Sequence, residues 1–176
     1  MKQLIVFILL LISNVGFSQK EANIWYFGQN AGLDFNSGSP VALTDGVLNT
    51  EEGCASISDT SGNLLFYTDG ITVYNKNHTV MLNGNGLNGD ITSTHSALIV
   101  PKPNNPDIYY IFTVDAEAGS NGLQYSEVNM SLDSGLGGIT TNKNILLHTP
   151  TTEKLTAIQS SIPNEYTIMF YQSNVN

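Results

Sequence analysis

The feature that most restricts this chain is a unit that recurs three times. Each copy starts with a short run of small and apolar residues. It then turns sharply on polar residues and continues into a strand rich in aromatic side chains. Residues 54–58 (Cys-Ala-Ser-Ile-Ser) pass through the turn 59–63 into Leu-Leu-Phe-Tyr-Thr at 64–68. Residues 96–100 turn at 101–107 into Ile-Tyr-Tyr-Ile-Phe-Thr at 108–113. Residues 155–159 turn at 160–164 into Tyr-Thr-Ile-Met-Phe-Tyr at 166–171. Such runs, bounded by Gly, Asn, Asp or Pro, read as strands. Beyond residue 18 no stretch carries the long 3.6-residue apolar period of a helix.

Further strands are predicted at 24–27, 32–35 and 40–43, and at 71–74 after the hairpin signal Asp69-Gly70. Two more are expected at 123–128 and 144–147. The aromatic strands are spaced by roughly 45 to 60 residues, in the range of propeller blades. Small residues suit an inner strand crowded near a central axis. Bulky side chains such as Phe66, Tyr110 and Phe112 suit the wider gap between blades. The expected fold is therefore all-β, a fragment of a β-propeller of the WD-repeat or YVTN type, with about three to four blades including partial ones. A β-sandwich of hairpins fits the same strand spacing; the repeated order of small strand then aromatic strand favours the propeller. Three strands precede the first unit and only two follow Leu155. A ring takes at least about four blades. Residues 19–176 are accordingly expected to be an incomplete propeller domain that continues in a longer protein.

Residues 1–18 read as a secretory signal peptide: Lys2, an apolar run over 4–12, and small residues Gly16 and Ser18 ahead of Gln19. The apolar run is too short for a membrane span of about 20 residues. The expected address is the medium or the outer cell surface, with no membrane association after cleavage. The 176 residues carry six lysines, no arginine and fifteen carboxylates, for a net charge of −9. That balance repels nucleic-acid phosphates and anionic lipid headgroups. With 41% hydrophobic residues the chain can still fill a core. Cys54 is the one cysteine, so an internal disulfide is excluded. Set in a small apolar run, with His78, His95 and His148 scattered, it reads as a buried structural thiol.

Longer motifs carry a resemblance. They are NIWYFGQNAGLDF at 23–35, EEGCASISDTSGNLLFYTDGITVYN at 51–75, MLNGNGL at 81–87, IYYIFTVD at 108–115, GLQYSEVNM at 122–130 and EKLTAIQ at 153–159. Together they resemble the N-terminal, propeller-like region of large secreted or surface proteins of Bacteroidota. Those proteins often end in a gliding-motility-associated, type B sorting domain used by type IX secretion. The resemblance implies a surface or adhesin-like role and transfers no catalytic residue. No such sorting domain is present in these 176 residues.

Several constellations invite chemistry. Gly84-Asn85-Gly86-Leu87-Asn88-Gly89 spells G-x-G-x-x-G, but Asp90 and the poor helix formers after it argue against a phosphate loop. A glycine-asparagine turn is the expected structure. Asn83, Asn85, Asn88 and Asp90 offer oxygens to calcium, yet one carboxylate among amides is a weak cage. No cofactor is expected. Glu51 and Glu52, His95, and Glu153 with Lys154 each precede an inner strand. In a propeller these points meet at one mouth of the central channel, where a polar ligand could be held. Trp25, Tyr26, Tyr74, Tyr109 and Tyr125 are candidate sugar-stacking rings, about half of which strand alternation buries. No Ser-His-Asp order, paired-Cys spacing or HExxH is present. Two glycosylation sequons, at 77–79 and 129–131, carry no weight in a bacterial protein.

The expected function is a non-enzymatic interaction or scaffold module that binds an extracellular glycan or surface protein. The alternative is a secreted polysaccharide hydrolase or lyase that uses an acidic channel, marked by a carboxylate pair about 5 to 10 Å apart.

Overall fold

The computed structural model describes residues 20–162 and 165–173. The signal peptide expected at 1–18 lies outside the described residues. The described chain is all-β, as its turn-punctuated pattern predicts, and among the described residues the only helices are two single turns, at Ala116–Ala118 and Asp133–Gly135.

The strands fall into layers. Strands β1 (Ile24–Phe27), β2 (Ala31–Asp34) and β3 (Val41–Leu43) form a small antiparallel sheet. Strands β4 (Ala55–Ser58), β5 (Leu64–Thr68), β6 (Thr72–Asn75) and β7 (Val80–Asn85) form a first antiparallel meander. Strands β8 (Ala97–Pro101), β9 (Ile108–Val114) and β10 (Leu123–Asn129) begin a second. Along its far edge β10 pairs with β11 (Gly138–Ile139) at one end and β12 (Ile145–His148) at the other. Finally β13 (Thr151–Gln159) and β14 (Tyr166–Gln172) make an antiparallel hairpin.

A single parallel pairing, Gly138 with Leu82, joins the two meanders at β11 and β7. At the opposite end of the path β4 lies against β8. The joined sheet is thus nearly closed and barrel-like. Phe66, Val73, Met81, Ile111, Val128 and Ile139 fill its interior. These are the inward members of strand alternation, which puts every second side chain on one face, interrupted in the first meander by bulges at Ile57/Ser58 and Thr72/Tyr74.

The small sheet covers the other face of the first meander through Tyr26, Leu48 and Tyr67. The β13–β14 hairpin covers part of the outer face of the second, where Leu155 and Ile168 meet Leu98, Phe112, Val114 and Leu123.

The turns form for local reasons. Asp69 Oδ1 accepts from the backbone N–H of Ile71 and Thr72, and Gly70 takes φ +88°, where a Cβ is unfavourable. Asp59 Oδ1 likewise accepts from the N–H of Ser61 and Asn63.

One expectation is corrected. Residues 84–89 do not form a turn throughout: Gly84 and Asn85 belong to β7. A Cβ on Gly84 would sit 2.8 Å from the Met81 carbonyl oxygen and 2.9 Å from that of Val73. Glycine here marks close backbone approach inside a strand, which a turn reading of the sequence misses.

Candidate functional site

The segments that precede β4, β8 and the Leu155–Gln159 part of β13 come together. The N–H of Gly53 donates to the Ser93 carbonyl at 3.2 Å. A Cβ on Gly53 would lie only 2.2 Å from the Ser96 nitrogen, so glycine is what lets these loops touch. Thr50 Oγ1 donates toward the carbonyls of Gly53 and Ile91, each at 3.4 Å. Ser96 Oγ donates to the Asp69 carbonyl behind them.

Residues 153–155 join the same cluster from β13. Glu153 Oε2 accepts from the N–H and the hydroxyl of Thr94, both at 2.9 Å, and its Oε1 accepts from the Glu117 N–H at 3.0 Å. The Glu117 N–H, then the Thr94 donors, hold the Glu153 carboxyl below its usual range. His95 Nδ1 accepts from the Leu155 N–H at 3.2 Å. That bond leaves Nε2 as the protonated nitrogen of the neutral ring.

Of the five residues expected at a mouth, His95 and Glu153 each bond across to the other's segment, His95 to Leu155 and Glu153 to Thr94, and Lys154 lies between Glu153 and Leu155 in the chain. The loop of Glu51 and Glu52 is held nearby through Gly53, with both glutamates exposed. Glu153 is a brace: both of its oxygens are already engaged, and an ionised, triply bonded carboxylate makes a poor general acid. Lys154 lines two open clefts. One, of about 380 Å³, also holds Glu117, Thr152, Glu153 and Ser173. The other, of about 320 Å³, is bounded by His95, Leu155, Met169, Phe170 and Tyr171. The sequence reading missed Thr94 and Glu117, which carry no local signal, and missed the apolar tip of β14.

The calcium reading of the Asn-rich loop meets a competing cation. Lys143 Nζ donates to the Asn83 carbonyl at 3.0 Å, to Asn83 Oδ1 at 3.3 Å and to the Asn85 carbonyl. The ammonium takes the oxygens of Asn83 and Asn85, while Asn88 donates to Gln124 and Asp90 Oδ1 accepts from Thr92, so the four are not gathered around one point. Among the described residues no group of three or more His, Cys, Asp and Glu is placed to hold a metal ion.

The candidate sugar-stacking rings divide as alternation predicts. Tyr26 and Tyr109 are buried, Tyr74 stacks on Tyr67, and Trp25 and Tyr125 keep exposed surface. Cys54 is half-buried against the Tyr26 cluster, and burial pushes its thiol up, away from the nucleophilic thiolate.

Comparison with family models, with curated proteins and with solved structures finds no match for this chain.

Proposed function

We propose that this chain is an exported, non-enzymatic interaction or scaffold segment, built from propeller-like blades and belonging to a larger surface protein. One observation carries the reading. Two successive antiparallel meanders each open with a short strand of small and apolar residues beside an aromatic strand, and a third hairpin, β13–β14, repeats that opening pair. The opening strands β4 and β8 lie side by side, as inner strands around a common axis do. The small N-terminal sheet and the β13–β14 hairpin then read as partial blades on either flank. The parallel link from β11 to β7 is a departure from independent blades. The resemblance of the long motifs to secreted Bacteroidota proteins supports the address, and the acidic composition supports a ligand richer in hydroxyls or cations than in phosphate.

The test joins address with chemistry. Cells that express the tagged protein are surface-shaved with protease, and the purified chain is applied to a glycan array and to a reducing-sugar assay. The tag is expected at the surface or in the medium, with retention of glycan or surface protein and no release of reducing ends. Retention in the cytoplasm, or sugar release, would overturn the reading.

A further inference from the structure

Asparagine followed by glycine is the least hindered place in a chain for a backbone nitrogen to attack the side-chain amide before it, because glycine has no Cβ in the way. This chain holds four such pairs, Asn83-Gly84, Asn85-Gly86, Asn88-Gly89 and Asn121-Gly122, three of them in the Gly-Asn loop.

The fold treats the four differently. Asn83 Nδ2 donates to the Ile139 carbonyl at 3.2 Å and its Oδ1 accepts from Lys143 Nζ, so this amide is held at both ends. Asn88 Nδ2 donates to Gln124 Oε1 at 3.1 Å, and the N–H of Gly89 donates to the Gly70 carbonyl at 3.0 Å. The N–H of Gly122 donates to the Gly119 carbonyl at 3.2 Å. In each of these pairs a reacting group must first give up a hydrogen bond. Asn85 is exposed, and among the described residues neither its side-chain amide nor the Gly86 N–H makes a hydrogen bond. A Cβ built on Gly86 meets nothing within 4 Å, so the space beside that nitrogen is open.

The groups around this peptide bond are fixed. Lys143 Nζ donates to the Asn85 carbonyl, Asn144 Nδ2 to the Gly86 carbonyl at 2.8 Å, and the Leu87 N–H to the Ile71 carbonyl at 2.9 Å. The lysine contact has a chemical consequence. The oxygen it reaches belongs to the same peptide group as the Gly86 nitrogen. An ammonium there stabilises the anion left when that nitrogen gives up its proton, as fixed donors stabilise developing oxyanions.

We propose that Asn85 is a self-modification site, converted without an enzyme to aspartate and isoaspartate, with Lys143 promoting the step. The Gly86 nitrogen loses its proton to solvent base and attacks Asn85 Cγ. The new N–Cγ bond closes a succinimide ring. The Cγ–Nδ2 bond breaks, and the nitrogen leaves as ammonia with protons from water. Water then opens the ring. Addition at Cγ yields aspartate, and addition at the main-chain carbonyl carbon yields isoaspartate. Water is consumed and ammonia released, with nothing oxidised or reduced. Either product puts a carboxylate beside Lys143 at the end of β7. Isoaspartate also lengthens the main chain by a methylene where Asn85 pairs with Thr72 of β6. This inference goes beyond the interaction-module reading and does not depend on it.

The purified chain is incubated in mildly alkaline buffer and sampled over time. Peptides carrying the four asparagines are resolved by chromatography and mass spectrometry into their asparagine, aspartate and isoaspartate forms. Conversion at Asn85 is expected to run at least about tenfold faster than at Asn83, Asn88 or Asn121, the factor that one or two hydrogen bonds on the reacting groups set. In guanidinium the four rates should converge, because the pairs share one local chemistry. Lys143→Met should slow conversion at Asn85 by about tenfold, less than the loss of a buried oxyanion donor. Lys143→Arg should restore most of the rate. A lysine that only held the loop would give the opposite sign, since its loss would loosen residues 83–88 and speed the reaction. Conversion led by another of the four pairs, or an unchanged ranking in guanidinium, would overturn the site. An equal or faster rate in Lys143→Met would overturn the part given to the lysine.

Discussion

The Tyr26 hydroxyl donates to Asp45 Oδ1 at 2.8 Å, and this bond ties β1 to a loop 19 residues further along the chain. The other carboxylate oxygen of Asp45 faces His78 Nε2 at 3.4 Å. His78 Nδ1 in turn lies 3.0 Å from the Tyr67 hydroxyl, which accepts from the Val47 N–H. The small N-terminal sheet is thereby latched to the first meander through a chain of polar contacts around stacked rings, with Tyr26 and Tyr67 at 4.6 Å between centroids.

Tyr26→Phe keeps the stacking and removes one bond. A single charge-assisted hydrogen bond is worth about 1.5–3 kcal/mol, and the exposure of Asp45 places the loss at the low end. Urea melts of Tyr26→Phe, Asp45→Asn and the double variant should give a coupling energy of about 1 kcal/mol. Strict additivity would refute the latch.

The phenol of Tyr26 is raised well above its ordinary value, first by burial and then by the Asp45 carboxylate. A group whose folded pKa is raised contributes stability that is complete below its unfolded value and lost as pH rises. Melting temperature should therefore begin to fall above about pH 10. Tyr26→Phe should flatten that decline, which differential scanning fluorimetry between pH 8 and pH 11 would read.

At the other end of the scale, the lowered carboxyl of Glu153 contributes stability above its unfolded value and loses it as pH falls. Stability should decline below about pH 4.3. In Glu153→Gln this acid limb should be shallower, because no carboxyl is left there to protonate; the single amide oxygen keeps the bonds on one side only, so the variant also starts less stable. An identical limb in both proteins would show that the brace does not contribute.

Two glycines separate steric from conformational cost. In Gly53→Ala the new methyl meets the Ser96 backbone, and destabilisation of about 1–3 kcal/mol is expected, as for overpacking. Gly86 has φ +71° with nothing within 4 Å of a built Cβ. Gly86→Ala should therefore cost only the left-handed backbone term, about 1–2 kcal/mol. Hydrogen exchange should show the Gly53 variant loosening residues 93–96, with those amides unchanged in the Gly86 variant.

Lys143→Met tests the ammonium at the asparagine loop. Loss of its carbonyl contacts should speed proteolytic nicking within residues 83–88 and lower stability by about 1 kcal/mol. Millimolar calcium should leave the melting temperature of the unsubstituted chain unchanged. A rise of several degrees would show that a metal displaces the lysine.

Much of the strand content was legible in the residues themselves. The aromatic strand expected at 64–68 is Leu64–Thr68, and the first strand expected at 24–27 is Ile24–Phe27. The reason is local: two-residue alternation and turn-forming Asp, Asn and Gly act within a few residues, so the chain writes them explicitly. What lies outside a local pattern was not legible. Strand β11 is two residues long, and β7 hides behind the glycine that lets it pack. The site shows the same division. Residues ahead of the first strand of each repeated unit could be picked out by position. That the Glu153 carboxylate would be claimed by Thr94, 59 residues away, and Glu117, 36 away, depended on how the layers stack. Strand identity and turn chemistry thus belong to the sequence, through short-range sterics and hydrogen bonding. Which loops meet and which carboxylate is consumed as a brace were decided by tertiary packing, because burial of apolar faces is non-directional and only the assembled layers select the contacts.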